Sequence, residues 1–365
     1  MNDKVPYPND GGLREPIRDI KDSFNAFEMI KEHFKPTNKY FDLLVFIGRF
    51  QPFHTEHKRI IETALCKAKN VLVLVGSSGK ARTVRNPFTF EERMRMIYES
   101  IDFYPDRMIV KPLYDKTYND AAWIKQVQEI VTQTALGLVN NGGFPIHGTA
   151  DMKIGLIGAS KDNTSYYLKL FPQWDSVNVE INNPIHATAI REGFISGSFQ
   201  KHELVSNEIT MPVANFMFNE FKFKPEYKIL QDELKHVNDY KKQWASAPYP
   251  VKHVTVDSVV TQSGHVLLVK RRSEPGKGLW ALPGGHLEVD ERIIDGIIRE
   301  LKEETLIKVP EAVLRGSIQE VRVYDDPHRS TIGRIITHAA HIKLKDDVVM
   351  PKVKGSDDAE KAKWI

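Results

Sequence analysis

Two histidines three residues apart, His54 and His57, close the string GRFQPFHTEH, which directly follows the apolar run LLVFIG. An apolar run of strand length, then Ile60, Ile61, Ala64, Leu65 and Ala68 at helical spacing, reads as a strand followed by a helix. Both imidazoles then stand near the helix start and on one side of it. Free backbone N–H groups and the positive dipole end attract an anion there, and imidazole N–H groups add donors for phosphate oxygens. A metal is the alternative use of such a pair, but no cysteine or carboxylate ligand set accompanies it. Gly48 allows the backbone to approach a ligand closely, and Pro52 helps to fix the turn. A second set is acidic. On a helix near 291–304, Glu300, Glu303 and Glu304 fall at i, i+3 and i+4, while Ile294, Ile297, Ile298 and Leu301 turn to the core. Three carboxylates on one face repel one another unless a cation joins them. Hard oxygen ligands suit Mg²⁺, with Mn²⁺ as the alternative, and such an ion binds a diphosphate.

The elements that must carry these groups form two patterns. Apolar strands at 71–76, 107–113 and 152–158 and a polar-apolar strand at 176–181 alternate with helices near 89–100, 119–136 and 162–170. Strands apolar throughout and separated by amphipathic helices imply a parallel sheet covered on both faces, a Rossmann-like α/β fold. A mainly helical stretch at 206–244 ends at Pro248 and Pro250, which favour extended chain. Beyond it, HVTVDSVVTQ, a turn at Ser263-Gly264, HVLLVKRR, one helix and long strands at 313–324 and 333–344 predict a mixed α/β domain of another kind. The expected division is an extension at 1–40 with a helix around Ile20–Ile30, a first domain at 41–247 and a second at 248–365. With 365 residues and roughly 150 per domain, two cores are affordable by length.

Composition excludes several classes. The charge sum is 51 − 48 = +3 with signs interleaved, which offers no surface for a phosphate backbone, so nucleic acid is not an expected partner. The single cysteine, Cys66, forbids an intramolecular disulfide and fits the reducing cytoplasm, and no apolar run of membrane-spanning length occurs. A homo-oligomer is compatible with all of this.

GRFQPFHTEH resembles the GxFxPxHxxH signature of the nucleotidylyltransferase superfamily, most closely the adenylyltransferases that join nicotinamide mononucleotide to ATP; Glu56 stands where many members have glycine, and its side chain is expected to point outward. RNPFTFEER resembles that family's NPFT-x-x-ER stretch, and IHATAIR its ISxTxxR motif with His186 in place of serine. The resemblance spans about 41–220. It implies catalytic roles for His54, His57 and Arg191, and substrate or ATP binding by Gly48, Arg49, Phe50, Asn86, Arg93, Thr188 and Trp123, the last by stacking on the nicotinamide ring. Thr89 reads independently as a helix N-cap. Lys201 of ISGSFQK is the second-ranked position for the ISxTxxR arginine.

From Gly285 the chain resembles the Nudix box, Gx5Ex7REUxEExGU, at Gly285, Glu291, Arg299, Glu300, Leu301, Glu303, Glu304 and Ile307; Leu306 replaces the last glycine. The resemblance implies that Glu303, Glu304 and the Gly284 carbonyl hold the metal, that Glu300 is either a further ligand or the base for water, and that Gly285, Glu291 and Arg299 support them. Pairing the two motifs is similar to a bifunctional architecture that makes NAD and pyrophosphate from ATP and nicotinamide mononucleotide and hydrolyses an ADP-ribose-like diphosphate. A family Nudix domain continues past a segment like DDAEKAKWI into a loop and a closing helix, whereas this chain stops 58 residues beyond Ile307, so the second domain is expected to be short. The alternative expectation is therefore a transferase with a non-catalytic sensing or assembly Nudix domain; a third is a transferase of the same superfamily acting on phosphopantetheine or a pyridine precursor.

Overall fold

The computed structural model describes residues 41–102, 104–140, 152–159, 167–181, 185–205 and 208–365; the helix expected around Ile20–Ile30 lies outside them. The first part comprises β1 (Phe41–Gly48), α1 (Thr55–Lys67), β2 (Ala68–Val75), α2 (Phe90–Ser100), β3 (Met108–Pro112), α3 (Asp120–Asn140), β4 (Ile154–Gly158), β5 (Asp175–Asn178), α4 (Ala187–Ser196), α5 (Lys201–Leu204), α6 (Met211–Asn215) and α7 (Pro225–Gln243). Its strands pair in parallel in the order β3-β2-β1-β4-β5. Leu44 and Phe46 pack with Val71, Val73 and Val75 on one face, together with Ile61 of α1, Ile97 of α2 and Phe194 of α4. Leu43, Val45 and Ile47 pack with Leu72 and Leu74 on the other, against Val127 and Val131 of α3. Strands apolar at successive positions are thus buried on both faces, as a covered parallel sheet requires. The connections reverse direction between β1 and β4, and sheets of this kind bind ligands at the carboxyl ends beside that switch point.

Of the helix predicted near 162–170, residues 167–170 are described and form a short turn. Thr89 does cap α2: its hydroxyl accepts from the Glu92 N–H while the Glu92 carboxylate accepts from the Thr89 N–H.

The second part comprises β6 (Lys252–Gln262), β7 (His265–Arg271), β8 (Trp280–Ala281), β9 (Gly284–His286), α8 (Ile293–Thr305), α9 (Glu311–Gly316), β10 (Ile318–Tyr324), β11 (Arg334–Lys343) and β12 (Ala359–Trp364). The order is β10-β11-β6-β7-β12, with β9 on β6 and β8 on β7; β11 and β6 run parallel and the other pairs antiparallel. Ile297, Ile298 and Leu301 of α8 pack on Val256, Val260 and Leu267. One expectation is corrected: the long strand at 313–324 begins as the helix α9. The segment 359–364, for which no element was expected, is a strand paired with β7.

Leu306, at the glycine position of the motif, caps α8 in the left-handed region at φ +46° and is exposed. A non-glycine residue there costs about 1 kcal/mol. Leu306→Gly is therefore expected to raise the thermal midpoint slightly without affecting turnover, as scanning calorimetry and an activity assay would register.

Candidate active sites

In the first crevice His54 is the N-cap of α1. Its Nδ1 accepts from the His57 backbone N–H at 3.4 Å, and His57 Nδ1 accepts from the His54 N–H at 3.3 Å; the rings stack with centroids 3.4 Å apart. An imidazole whose Nδ1 accepts carries its proton on Nε2, so the cap fixes the tautomer that donates to a phosphate oxygen. The spacing alone showed a donor pair, and the geometry adds why each ring holds its orientation.

Phe50 packs against His57. Its ring is buried, meets His57 edge-on at 4.8 Å, and lies where a Cβ on Gly48 would come within 2.7 Å. Gly48 thus makes room for that ring, which a sequence reading for ligand approach did not anticipate. Glu56 is also corrected: it is nearly buried and ion-paired to Arg59 at 2.7 Å instead of pointing outward.

Arginines surround the crevice. Arg191, almost fully buried, donates through Nη1 to the Gln51 carbonyl at 2.6 Å and through Nη2 to Thr188 Oγ1 at 3.0 Å, while its Nε is buried without a hydrogen-bond partner. Burial and then the charge of Arg49 bring it down to about 10. Burial and then Arg85 lower Arg49 as well, against the pull of Asp115. Cations held in mutual repulsion at the end of β1 favour an incoming polyanion. Asn86 Oδ1, also buried and without a hydrogen-bond partner, fits a donor on a ligand. Arg93 is a brace: its Nη1 donates to the Arg49 and Gly76 carbonyls, each at 2.7 Å, and its Nε to the Thr89 carbonyl at 3.1 Å. Trp123 packs partly buried beside Phe171, ring centroids 6.1 Å apart. Lys201 donates to Asn215 Oδ1 at 2.6 Å.

Gln51 and Glu233 were not singled out from the sequence. The Gln51 amide both donates to and accepts from the Phe88 backbone, at 2.8 and 3.0 Å, tying the signature loop to the NPFT loop. Glu233 of α7 accepts from the Val84 N–H at 3.1 Å, and burial pushes its carboxyl up to about 7. The folded state therefore keeps this proton at pH values where the unfolded chain, titrating near about 4.3, has lost it, and stability falls as pH rises through that window. Glu233→Gln, which retains an acceptor, is expected to stabilise the protein at pH 8 by up to about 2–3 kcal/mol and change little at pH 4.5, measured by denaturant titration.

In the second site Arg299 is the hub. It donates to Glu291 at 2.6 and 3.0 Å, to Glu300 and Glu303 at 2.9 Å each, and to the His286 carbonyl at 3.1 Å. Glu300 and Glu304 are buried and Glu303 is more exposed. Burial, aided by Glu300, pushes Glu304 up to about 7, and burial raises Glu300 too. The Gly284 N–H donates to Glu304 at 2.9 Å. A Cβ on Gly285 would fall 2.5 Å from the Glu300 carboxylate, so only glycine lets that side chain lie across β9. Asp257, absent from the motif, faces Gly284 across β6 and β9, and burial pushes it up to about 6. Among the described residues no three acidic, histidine or cysteine side chains form a ready-made cation cage. The donor set of three carboxylates and the Gly284 carbonyl still fits a hard divalent ion, whose charge would offset the burial, and the lesser mutual repulsion, that hold Glu300 and Glu304 toward neutrality. No helix among the described residues is long and apolar enough to cross a membrane.

The Cytidylyltransferase-like family model matches residues 45–193 and the NUDIX domain model residues 251–365. A nicotinamide/nicotinic acid mononucleotide adenylyltransferase of Acinetobacter baylyi is 37% identical over 158 residues, which are 43% of this chain and 77% of that protein. An ADP-ribose pyrophosphatase of Methanocaldococcus jannaschii is 35% identical over 116 residues, 31% of this chain, and the match spans 60% of that relative's length. A solved structure from Francisella tularensis, a bifunctional NMN adenylyltransferase/ADP ribose pyrophosphatase complexed with AMP and a Mn ion, superposes with a TM-score of 0.80 at 35% identity over 89% of this chain and 91% of its own. With both halves matched in one continuous chain, the protein belongs to the bifunctional NMN adenylyltransferase/ADP-ribose pyrophosphatase family.

Proposed function

We propose that the chain transfers AMP from ATP to nicotinamide mononucleotide, giving NAD and pyrophosphate, and separately hydrolyses ADP-ribose to AMP and ribose 5-phosphate. The arginine cluster around a helix start capped by two tautomer-fixed imidazoles supports the first activity most directly. A 5′-phosphate oxygen of the mononucleotide attacks the α-phosphorus of ATP in line, that P–O bond forms, and the bond to the β-phosphate oxygen breaks. No side chain becomes covalently attached, and the protein positions and neutralises. His57 and His54 donate from Nε2 to the reacting phosphates; Arg49, Arg191 and Thr188 take the remaining charge. Asn86 recognises the nicotinamide nucleotide and Trp123 stacks on its ring, while Arg93, Phe50 and Gly48 hold the crevice in shape.

In the second site Glu300, Glu303, Glu304 and the Gly284 carbonyl would hold Mg²⁺ or Mn²⁺, which when bound polarises the diphosphate and acidifies water. Glu300 serves as the base, Arg299 aligns it, and Glu291 and Gly285 keep Arg299 and Glu300 in place. We divide the chain at 247/248 between the activities and place the enzyme in the reducing cytoplasm, consistent with the free thiol of Cys66. Product analysis with ATP, Mg²⁺ and nicotinamide mononucleotide, and separately with ADP-ribose, tests the assignment. Failure to form a dinucleotide removes the first activity, and intact ADP-ribose removes the second.

A further inference from the structure

The loop between β10 and β11, residues 325–333, touches both halves of the chain. Toward the first half, the Asp326 N–H donates to the Tyr118 hydroxyl at 2.6 Å, Tyr118 meets Tyr324 edge-on at 5.4 Å, and Arg85 donates to the His328 carbonyl. Toward the second site the loop carries Arg329. Its Nη1 donates to the Tyr324 carbonyl at 3.0 Å, and its Nη2 stands 3.9 Å from the Asp257 carboxylate, a charge contact too long for a hydrogen bond. Asp257 pairs across the sheet with Gly284, whose N–H donates to Glu304, so the guanidinium lies one residue from the carboxylate row.

A diphosphate held by metal and carboxylates on one side needs cationic donors on another. Arg299 is committed to three glutamates and a carbonyl, and Arg271 donates its Nε to the Pro275 carbonyl at 2.9 Å. Arg271, on the strand β7, acts on Glu304 and Asp257, whereas Arg329, on a loop outside the motif helix and its supporting strands, faces Asp257 beside the row. We propose that Arg329 binds the diphosphate of the substrate in the hydrolase site, and that Tyr118 of the transferase half positions the loop that delivers it. The inference rests on the reading of that site as a nucleoside-diphosphate hydrolase.

Steady-state hydrolysis of ADP-ribose by the full chain tests it. Arg329→Ala is expected to raise KM about tenfold or more with a smaller change in kcat, Arg329→Lys to recover part of that rise, and dinucleotide synthesis to stay unchanged. Tyr118→Phe, more than two hundred positions away in sequence, is expected to raise the same KM by a smaller factor. A KM in Arg329→Ala equal to the parent's overturns the proposal, and an unchanged KM in Tyr118→Phe overturns the role of the transferase half. Should the parent leave ADP-ribose intact, the hydrolase reading fails by itself. ADP-ribose affinity by calorimetry then decides on Arg329, a loss in Arg329→Ala supporting it and an equal affinity overturning it.

Discussion

His57→Ala is expected to lower the turnover of dinucleotide synthesis by roughly 100- to 1000-fold, the usual cost of removing one positioned donor to a developing phosphate charge, while ADP-ribose hydrolysis stays at the parent rate. The argument is geometric. His57 Nδ1 is engaged by the His54 N–H, which leaves Nε2 as the proton-bearing atom, and the ring is backed edge-on by buried Phe50. Alanine removes both the donor and half of the reciprocal helix cap, so part of any loss is structural, about 1 kcal/mol of helix stability. Asparagine separates the two contributions, since it supplies a cap acceptor without reaching the phosphate. Equal turnover in His57→Asn and the parent would remove His57 from the chemistry.

Glu304→Gln is expected to abolish most ADP-ribose hydrolysis, by about two to three orders of magnitude, and to leave dinucleotide synthesis intact. Glutamine has the same shape and keeps an acceptor for the Gly284 N–H, so β9 and α8 stay joined. What it loses is charge. The carboxylate is buried and pushed up to about 7, and a bound cation would favour its charged form. The variant should therefore fold at least as stably as the parent while requiring more Mg²⁺ or Mn²⁺ for its residual rate. Hydrolysis undiminished at saturating metal would show that Glu304 is no ligand.

Much of this architecture was legible because burial writes directly into sequence. The runs of β1 and β2 are apolar at consecutive positions since both faces are covered, and α8 shows its helical period because one face packs on Val256 and Val260. The strand β12, AEKAKW, was hidden because most of it lies exposed or half-exposed at a sheet edge, where lysines suit solvent and mask alternation. The helix α9 was hidden because six residues give less than two turns of pattern. In the sites, residue types within the motifs were readable, but orientation was not: the inward turn of Phe50 depends on a left-handed backbone at φ +51°, and that of Glu56 on a partner, Arg59. Asp257, Gln51 and Arg329 act through pairings across the sheet or between loops, which no local spacing encodes.

Arg93 shows how a motif residue can owe its place to masonry rather than to recognition. One planar fork ties the chain leaving β1, the chain leaving β2 and the start of α2, joining three segments around the signature loop through main-chain carbonyls. A lysine, a single point donor on a flexible stem, has no geometry that spans the same three carbonyls. Because these three contacts are made to main-chain carbonyls, they do not depend on which side chains line the site, so those side chains can change while the brace is kept.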